Sequence, residues 1–265
     1  HFINDFLNKI GVHTISFTPN DSKEDILKRL KNSGLANKLS MIFIETPANP
    51  TNALIDIEMC KSIADLYSTM DTKVHLAVDN TYMGPLWQHP LEHGADSVLY
   101  SATKYIGGHS DVIAGACCGS NEVISRIKVL RTFLGNMAAP HTGWLLMRSL
   151  ETLKIRMEQQ ARNAQQVAAY LDNHKKVEKV YYLGLIKENT KEYEIYQKQY
   201  DSPGAMLSFD IVGGEKEAFK FIDSLKLIKL AVSLGGTESL VEHPATMTHA
   251  GVEPNHRKEL SITEK

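Results

Sequence analysis

The sequence predicts an α/β protein: a large domain built on a mostly parallel sheet, followed by a smaller α+β domain. Three observations lead there. Short apolar runs at Met41 to Ile44, Val74 to Val78 and Ser97 to Tyr100 have the composition of strands buried on both faces. A helical pattern separates the first two, giving the strand, helix, strand succession of a crossover between parallel strands. From Ala205 to Val212 the pattern becomes a clean alternation, the mark of a half-buried strand, and an amphipathic helix follows from Glu215 to Leu225.

In chain order, Phe2, Ile3, Phe6, Leu7 and Ile10 show helical spacing, with Gly11 placed as a C-cap. Residues Val12 to Phe17 alternate like a strand, and Lys23 to Leu30 reads as a charged surface helix. The run at Met41 ends in Glu45-Thr46-Pro47-Ala48-Asn49-Pro50-Thr51, where two prolines forbid continuing the strand and put Asn49 in a loop at its C-terminal end. Asp56 is placed to cap a helix whose Ile57, Cys60, Ile63, Ala64 and Tyr67 share a face. Small apolar residues from Ile113 to Cys118 suit a further strand, and Val123 to Phe133 a helix. From Trp144 to Leu171 apolar residues recur every three or four positions, which predicts one helix about 40 Å long, able to bridge two domains. Val177 to Tyr182 reads as a strand, and Lys187 to Tyr200 as a charged, tyrosine-containing, exposed segment. The domains are expected at 1–147 and 148–265.

Composition narrows the function. The chain has 265 residues, 43% of them hydrophobic, ample for a buried core. A net charge of −2, from 29 basic and 31 acidic residues, gives no electrostatic footprint for nucleic acid or anionic membrane. No apolar run approaches the roughly 18 residues of a membrane span. Of the three cysteines, Cys117 and Cys118 are adjacent and poorly placed to pair, and a reducing cytoplasm is the expected setting. His89-Pro90-Leu91-Glu92-His93 fits a zinc-peptidase pattern, but Pro90 spoils the helix such a site needs, so the pair reads as surface or internally satisfied histidines and no metal is expected.

The stretch Val78 to Gly115 carries chemistry. Asp79 closes an apolar strand, and Lys104 follows another strand end within Ser101-Ala102-Thr103-Lys104. A lysine amine can form a Schiff base with pyridoxal phosphate, while an aspartate can keep the pyridine nitrogen protonated. Ser101 and Thr103 could donate to the phosphate. His109, between Gly108 and Ser110, is expected to hold the turn after the lysine.

Asp79-Asn80-Thr81-Tyr82, Ser101-Ala102-Thr103-Lys104-Tyr105 and Gly108-His109-Ser110-Asp111, in this order and spacing, resemble the lysine motif of the Cys/Met-metabolism (trans-sulfuration) family of pyridoxal-phosphate enzymes, which includes methionine γ-lyase, cystathionine γ-lyase and cystathionine γ-synthase. Leu145 to Leu153 resembles the family at its domain junction, and Ala231 to Leu240 with Glu242 to His249 resembles a third family segment. The resemblance runs over nearly the whole chain. It implies an aspartate aminotransferase-like fold (fold type I), Lys104 as Schiff-base lysine and general base, and Asp79 as partner of the pyridinium. It also implies Asn49 near the cofactor ring and substrate carboxylate, Ser233 as a substrate contact, and a homodimer or homotetramer. The reaction it implies is γ-elimination from methionine or cystathionine, or else γ-replacement on an O-acylhomoserine; Val232, where many cystathionine enzymes carry glutamate, leans towards a lyase. A non-catalytic binding or assembly module is the competing expectation from a different class.

Helical spacing from the first residue and the lack of a closing element after Ser261 suggest an internal piece of a longer enzyme. The family's N-terminal segment, with its phosphate loop and ring-stacking tyrosine, and its C-terminal substrate arginine have no counterpart here. Since turnover depends on orientation, the 265-residue chain alone is expected to show little or none; ordinary steady-state activity in a coupled 2-oxo-acid assay would refute this.

Overall fold

The computed structural model describes residue 3 and residues 6–265. Phe2 of the expected opening helix lies outside these; Ile3 and Phe6 are helical as expected, and a 3-10 turn, Leu7–Ile10, follows, closed by Gly11 in the left-handed region at φ +84°. Along 12–17 no ladder forms, contrary to the strand expected there. Its alternation is satisfied differently, because Ile15 and Phe17 pack onto the neighbouring core from an irregular segment.

Helix α1 (Lys23–Asn32) opens with a capping box, in which the Ser22 hydroxyl accepts from the Asp25 N–H and the Asp25 carboxylate accepts from the Ser22 N–H. Strand β1 (Met41–Glu45) leads through the Asn49 loop to α2 (Ile57–Tyr67), capped as expected by Asp56, whose Oδ1 accepts from the Met59 N–H at 3.0 Å. Then come β2 (His75–Asp79), a short α3 (Gly84–Trp87), β3 (Ser97–Ser101) and β4 (Gly115–Gly119). They form one sheet in the order β1-β2-β3-β4, parallel from β1 to β3, with β4 antiparallel to β3. Beneath one face Ile42, Ile44, Leu76 and Val78 meet Ile57, Cys60, Ile63 and Ala64 of α2, with Ile26 and Leu30 of α1 behind them. Each large aliphatic side chain buried there contributes about 1.5–3 kcal/mol relative to exposure.

Downstream lie α4 (Asn121–Leu134), α5 (Pro140–Leu150) and α6 (Leu153–Asp172). The single helix expected from Trp144 to Leu171 is therefore two. At the break Thr152 sits at φ −108°, ψ 1°. The Ser149 carbonyl is taken by the Thr152 N–H at 3.3 Å and by Arg156 Nη2 at 2.9 Å, while Arg156 Nε donates to Thr152 Oγ1 at 3.1 Å. Side chains thus supply the partners that helix continuation would have supplied, and α6 spans about 30 Å. Strand β5 (Val177–Tyr181), α7 (Lys191–Gln199), β6 (Ser208–Ile211) and α8 (Glu215–Ser224) follow, with β5 and β6 antiparallel. A short parallel pair, β7 (Lys229–Leu230) and β8 (Leu240–Val241), brackets the third motif, and α9 (Pro254–Glu259) comes last.

The segment expected to be exposed from Lys187 to Tyr200 is buried at its end. Gln199 Oε1 accepts from the Ile57 N–H at 3.0 Å and its Nε2 donates to the Ile55 carbonyl at 3.0 Å, so α7 closes the first turn of α2. The Tyr200 hydroxyl lies 2.7 Å from Thr46 Oγ1. A second apolar cluster joins Leu54, Met83, Trp87 and Tyr105 to Met157 of α6, Leu183 and Tyr200. Gly84, at φ +58°, permits this approach, since a Cβ there would lie 2.8 Å from Met157 Cε. Met157 is wholly buried, so in the whole protein Met157→Ala should cost about 2–5 kcal/mol of unfolding free energy in denaturant titration, and Met157→Leu less than about 1.5 kcal/mol.

Candidate active site

The parallel register brings the chemistry to one edge. Glu45, the last residue of β1, pairs with Asp79, the last of β2, and Asp79 pairs in turn with Leu99 of β3, two residues before Ser101. All lie at the C-terminal ends of parallel strands, where ligands of open α/β sheets bind. Asp79 Oδ1 accepts from the Thr81 N–H at 3.0 Å and from its hydroxyl at 2.6 Å. Thr81 Oγ1 accepts in turn from the Ser101 N–H at 2.8 Å, so one threonine fixes the carboxylate to the strand that leads into the lysine turn.

Lys104 lies three residues beyond β3 in a tight turn held by its own N–H on the Ser101 carbonyl at 3.0 Å and by the Gly108 N–H on the Lys104 carbonyl at 2.7 Å. Its ammonium donates to Ser233 Oγ at 3.0 Å. Ser233 is held at φ +107°, a region L residues with a side chain rarely adopt, and two residues later Gly235 packs so closely that a Cβ would lie 2.6 Å from the Tyr105 N and 2.9 Å from the Lys104 carbonyl carbon. The third motif is thereby folded directly over the lysine. Partial burial lowers the Lys104 pKa and the charge of Glu242 opposes that shift. Glu242 Oε1 accepts from the Thr248 hydroxyl at 2.8 Å, and the same hydroxyl lies 2.9 Å from His249 Nδ1. Burial lowers the His249 pKa.

At the β1 end, the Asn49 N–H donates to Glu45 Oε1 at 3.2 Å. Glu45 is exposed to solvent at the strand end, yet the protein atoms packed around its carboxyl desolvate it enough to push it up to about 7; the Asn49 N–H opposes that rise and the Asp79 charge adds to it. The phenol of buried Tyr82 is pushed up by burial first and then by the charge of Glu45.

The structure thus brings Asp79, Ser101, Lys104 and Ser233 together and sets Asn49 beside them through Glu45. Thr103 is engaged elsewhere: its hydroxyl donates to the Ala114 carbonyl at 3.3 Å and accepts from the Ala114 N–H at 3.0 Å. Ser101 Oγ, by contrast, has no partner among the described residues and is a ready donor. His109 Nδ1 lies 2.8 Å from the Gly107 carbonyl, in the turn-holding place expected of it. His93 lies 3.2 Å from Glu58 and His89 3.4 Å from Asp201, each on its own carboxylate. Sequence reasoning assigned no role to Glu45, Thr81 or Glu242. Only Thr81 had a local signal, since a threonine two residues after an aspartate can close a turn on it.

A half-buried amine with a lowered pKa, a carboxylate fixed at the neighbouring strand end and a free hydroxyl between them fit the requirements of pyridoxal phosphate: a nucleophilic amine, an anion for the ring nitrogen and a donor for the phosphate.

A family model described as Cys/Met metabolism PLP-dependent enzyme matches residues 1–265. The chain is 43% identical over 226 residues to an L-methionine gamma-lyase of Porphyromonas gingivalis, covering 84% of this chain and 55% of that protein. It is 39% identical over 259 residues to a cystathionine gamma-lyase of Bacillus subtilis, covering 97% and 65%. The crystal structure of a cystathionine gamma synthase from Xanthomonas oryzae pv. oryzae in complex with cystathionine superposes with a TM-score of 0.88 at 34% identity, covering 99% of this chain and 65% of that one. The chain thus spans between about half and two thirds of the length of these relatives.

A negative charge near an ammonium stabilises its protonated form, so Glu242→Gln should lower the Lys104 pKa further. Reductive methylation of the cofactor-free whole protein, followed at the Lys104 peptide by mass spectrometry, should show its pH profile displaced to lower pH; an unmoved profile would separate the two groups.

Proposed function

Because the chain belongs to the Cys/Met-metabolism family of PLP-dependent enzymes, we propose that the whole protein is a carbon–sulfur lyase of sulfur amino-acid metabolism. It would take methionine or cystathionine by γ-elimination to a 2-oxo acid, ammonia and a thiol. The observation that carries this reading is the Lys104 amine, half-buried at the strand end beside Asp79 and in hydrogen-bond contact with Ser233. Pyridoxal phosphate, when bound, supplies the electron sink that stabilises a carbanion at the α-carbon of an amino acid.

The chain's own residues do the rest. Lys104 Nζ is the base that removes the α-proton and carries protons onward, and its lowered pKa keeps a larger share of it unprotonated near neutrality than a surface lysine would have. Asp79, fixed by both donors of Thr81, presents negative charge to the ring nitrogen. Ser101 donates to the phosphate, and Thr103 joins it by turning its hydroxyl away from Ala114. Asn49 and Ser233 would address the substrate carboxylate.

γ-Replacement on an O-acylhomoserine is the second reading, favoured by the similarity to a cystathionine gamma synthase. A homodimer or homotetramer is supported by an apolar surface along α4 and α5, where Phe133 is 81% and Met147 71% exposed. No helix among the described residues is long and apolar enough to cross a membrane; a cytoplasmic location is proposed from the cysteine usage.

In the whole protein Lys104→Ala should abolish the yellow, borohydride-reducible adduct with added cofactor and reduce turnover by several orders of magnitude. A lysine-linked absorbance persisting in that variant would sink the assignment. Product analysis with methionine, cystathionine, and O-acylhomoserine plus cysteine separates elimination from replacement.

A further inference from the structure

Glu45 is an acidic side chain at the candidate site to which the reaction above gives no part. Strand register fixes its place: Glu45 and Asp79 are lateral partners at the ends of β1 and β2, so both side chains leave the same face of the sheet. Neighbouring parallel strands lie about 4.8 Å apart, which puts two carboxyl groups within reach of each other. Two full negative charges in that arrangement repel strongly when water is partly excluded, and such pairs resolve by holding one proton between them. The asymmetry of the surroundings says where it resides. Both hydrogen bonds from Thr81 fall on one Asp79 oxygen, Oδ1, whose acceptor capacity they occupy. Glu45 accepts one longer bond from the Asn49 N–H, and desolvation pushes its carboxyl up to about 7. The titratable groups around it are Asp79 from β2, whose charge raises it, the phenol of Tyr82, which Glu45 itself raises, and His249, which engages the Asn49 backbone.

We propose that Glu45 is a positioning residue, a neutral carboxyl that ties the Asn49 loop to Asp79 and leaves Asp79 as the one charge facing the cofactor's ring nitrogen. This rests on Asp79 being the ring-nitrogen partner. Glu45 makes two demands compatible in that role. Its carbonyl oxygen accepts from Asn49 N–H, orienting the loop that carries the Asn49 side chain, and its O–H is free to donate towards Asp79. Were Glu45 ionised, it would offer no donor and would add a second charge that the Thr81 contacts do not balance.

The test uses the cofactor-free and cofactor-bound whole protein. Infrared difference spectra between about pH 6 and pH 8 should contain a protonated-carboxyl C=O band that is absent from Glu45→Gln in both forms; its absence from the unaltered protein would overturn the proposal. Cofactor dissociation constants give the second arm. Glutamine keeps an acceptor for Asn49 and a donor for Asp79, so Glu45→Gln should bind cofactor within about threefold of the unaltered protein, while Glu45→Ala should bind about tenfold or more weakly. Equal losses in both variants would show that the charge of Glu45 matters and would refute a neutral role, as would an alanine variant that binds normally. If the alanine variant does not fold, the band and the glutamine affinity decide alone. Failure of the unaltered protein to bind pyridoxal phosphate would instead count against the function proposed above, leaving the infrared result on the cofactor-free form to stand by itself.

Discussion

The in-register parallel pairing of β1, β2 and β3 is the constraint on which the site depends. Parallel strands end together, so residues distant in sequence, Glu45, Asp79 and Ser101, are delivered to one edge at intervals set by backbone hydrogen bonding. The layer beneath makes that edge rigid. Ile42, Ile44, Leu76 and Val78 are sealed against α2, and a one-residue slip of any strand would turn those aliphatic groups to solvent and the carboxylates into the core. Hydrophobic burial therefore sets the register, and the register sets the chemistry.

Electrostatics at this edge is a matter of few charges and many dipoles. Lys104 is a half-buried cation directed at a hydroxyl, and the charge of Glu242 acts on it. Asp79 is held by the N–H and O–H of Thr81. Such preorganised dipoles orient a carboxylate without competing for the positive group it is meant to meet. The same economy applies at Ser233, whose backbone at φ +107° is held in place by Gly235 packed on the lysine turn. Strain of this kind persists where surrounding contacts over-determine it.

The second apolar cluster explains how the two halves of the sequence share the site. Tyr105, next to Lys104, packs edge-on against Trp87 at 5.7 Å and joins Met157 of α6 in the same cluster. Arg156, one residue earlier on α6, donates to the Tyr105 carbonyl at 2.9 Å and to the Ser149 carbonyl at the helix break. At the interruption between α5 and α6 the Arg156 guanidinium thus joins the helix break to the backbone of the lysine turn. Gln199 and Tyr200 tie the end of α7 to α2 and Thr46 in a comparable way.

By itself the sequence determined the strands at Met41, His75 and Ser97, the cap at Asp56, the helices with strong amphipathic period, and the lysine motif with its aspartate. Those are local properties, written in apolar spacing, capping side chains and residue order within a few turns of chain. Only the tertiary structure decided that Glu45 stands beside Asp79, that Thr81 bridges Asp79 to Ser101, that Ser233 reaches Lys104 across 129 positions, and that Thr103 turns to Ala114. It also decided that residues 12–17 form no ladder, that the helix from Trp144 breaks at Thr152, and that Gln199 and Tyr200 are buried. The physical reason is common to all of these. Lateral neighbours in a sheet, and side chains that bond to distant backbone, are chosen by register and packing between segments, and neither leaves a periodicity in the segment it acts on.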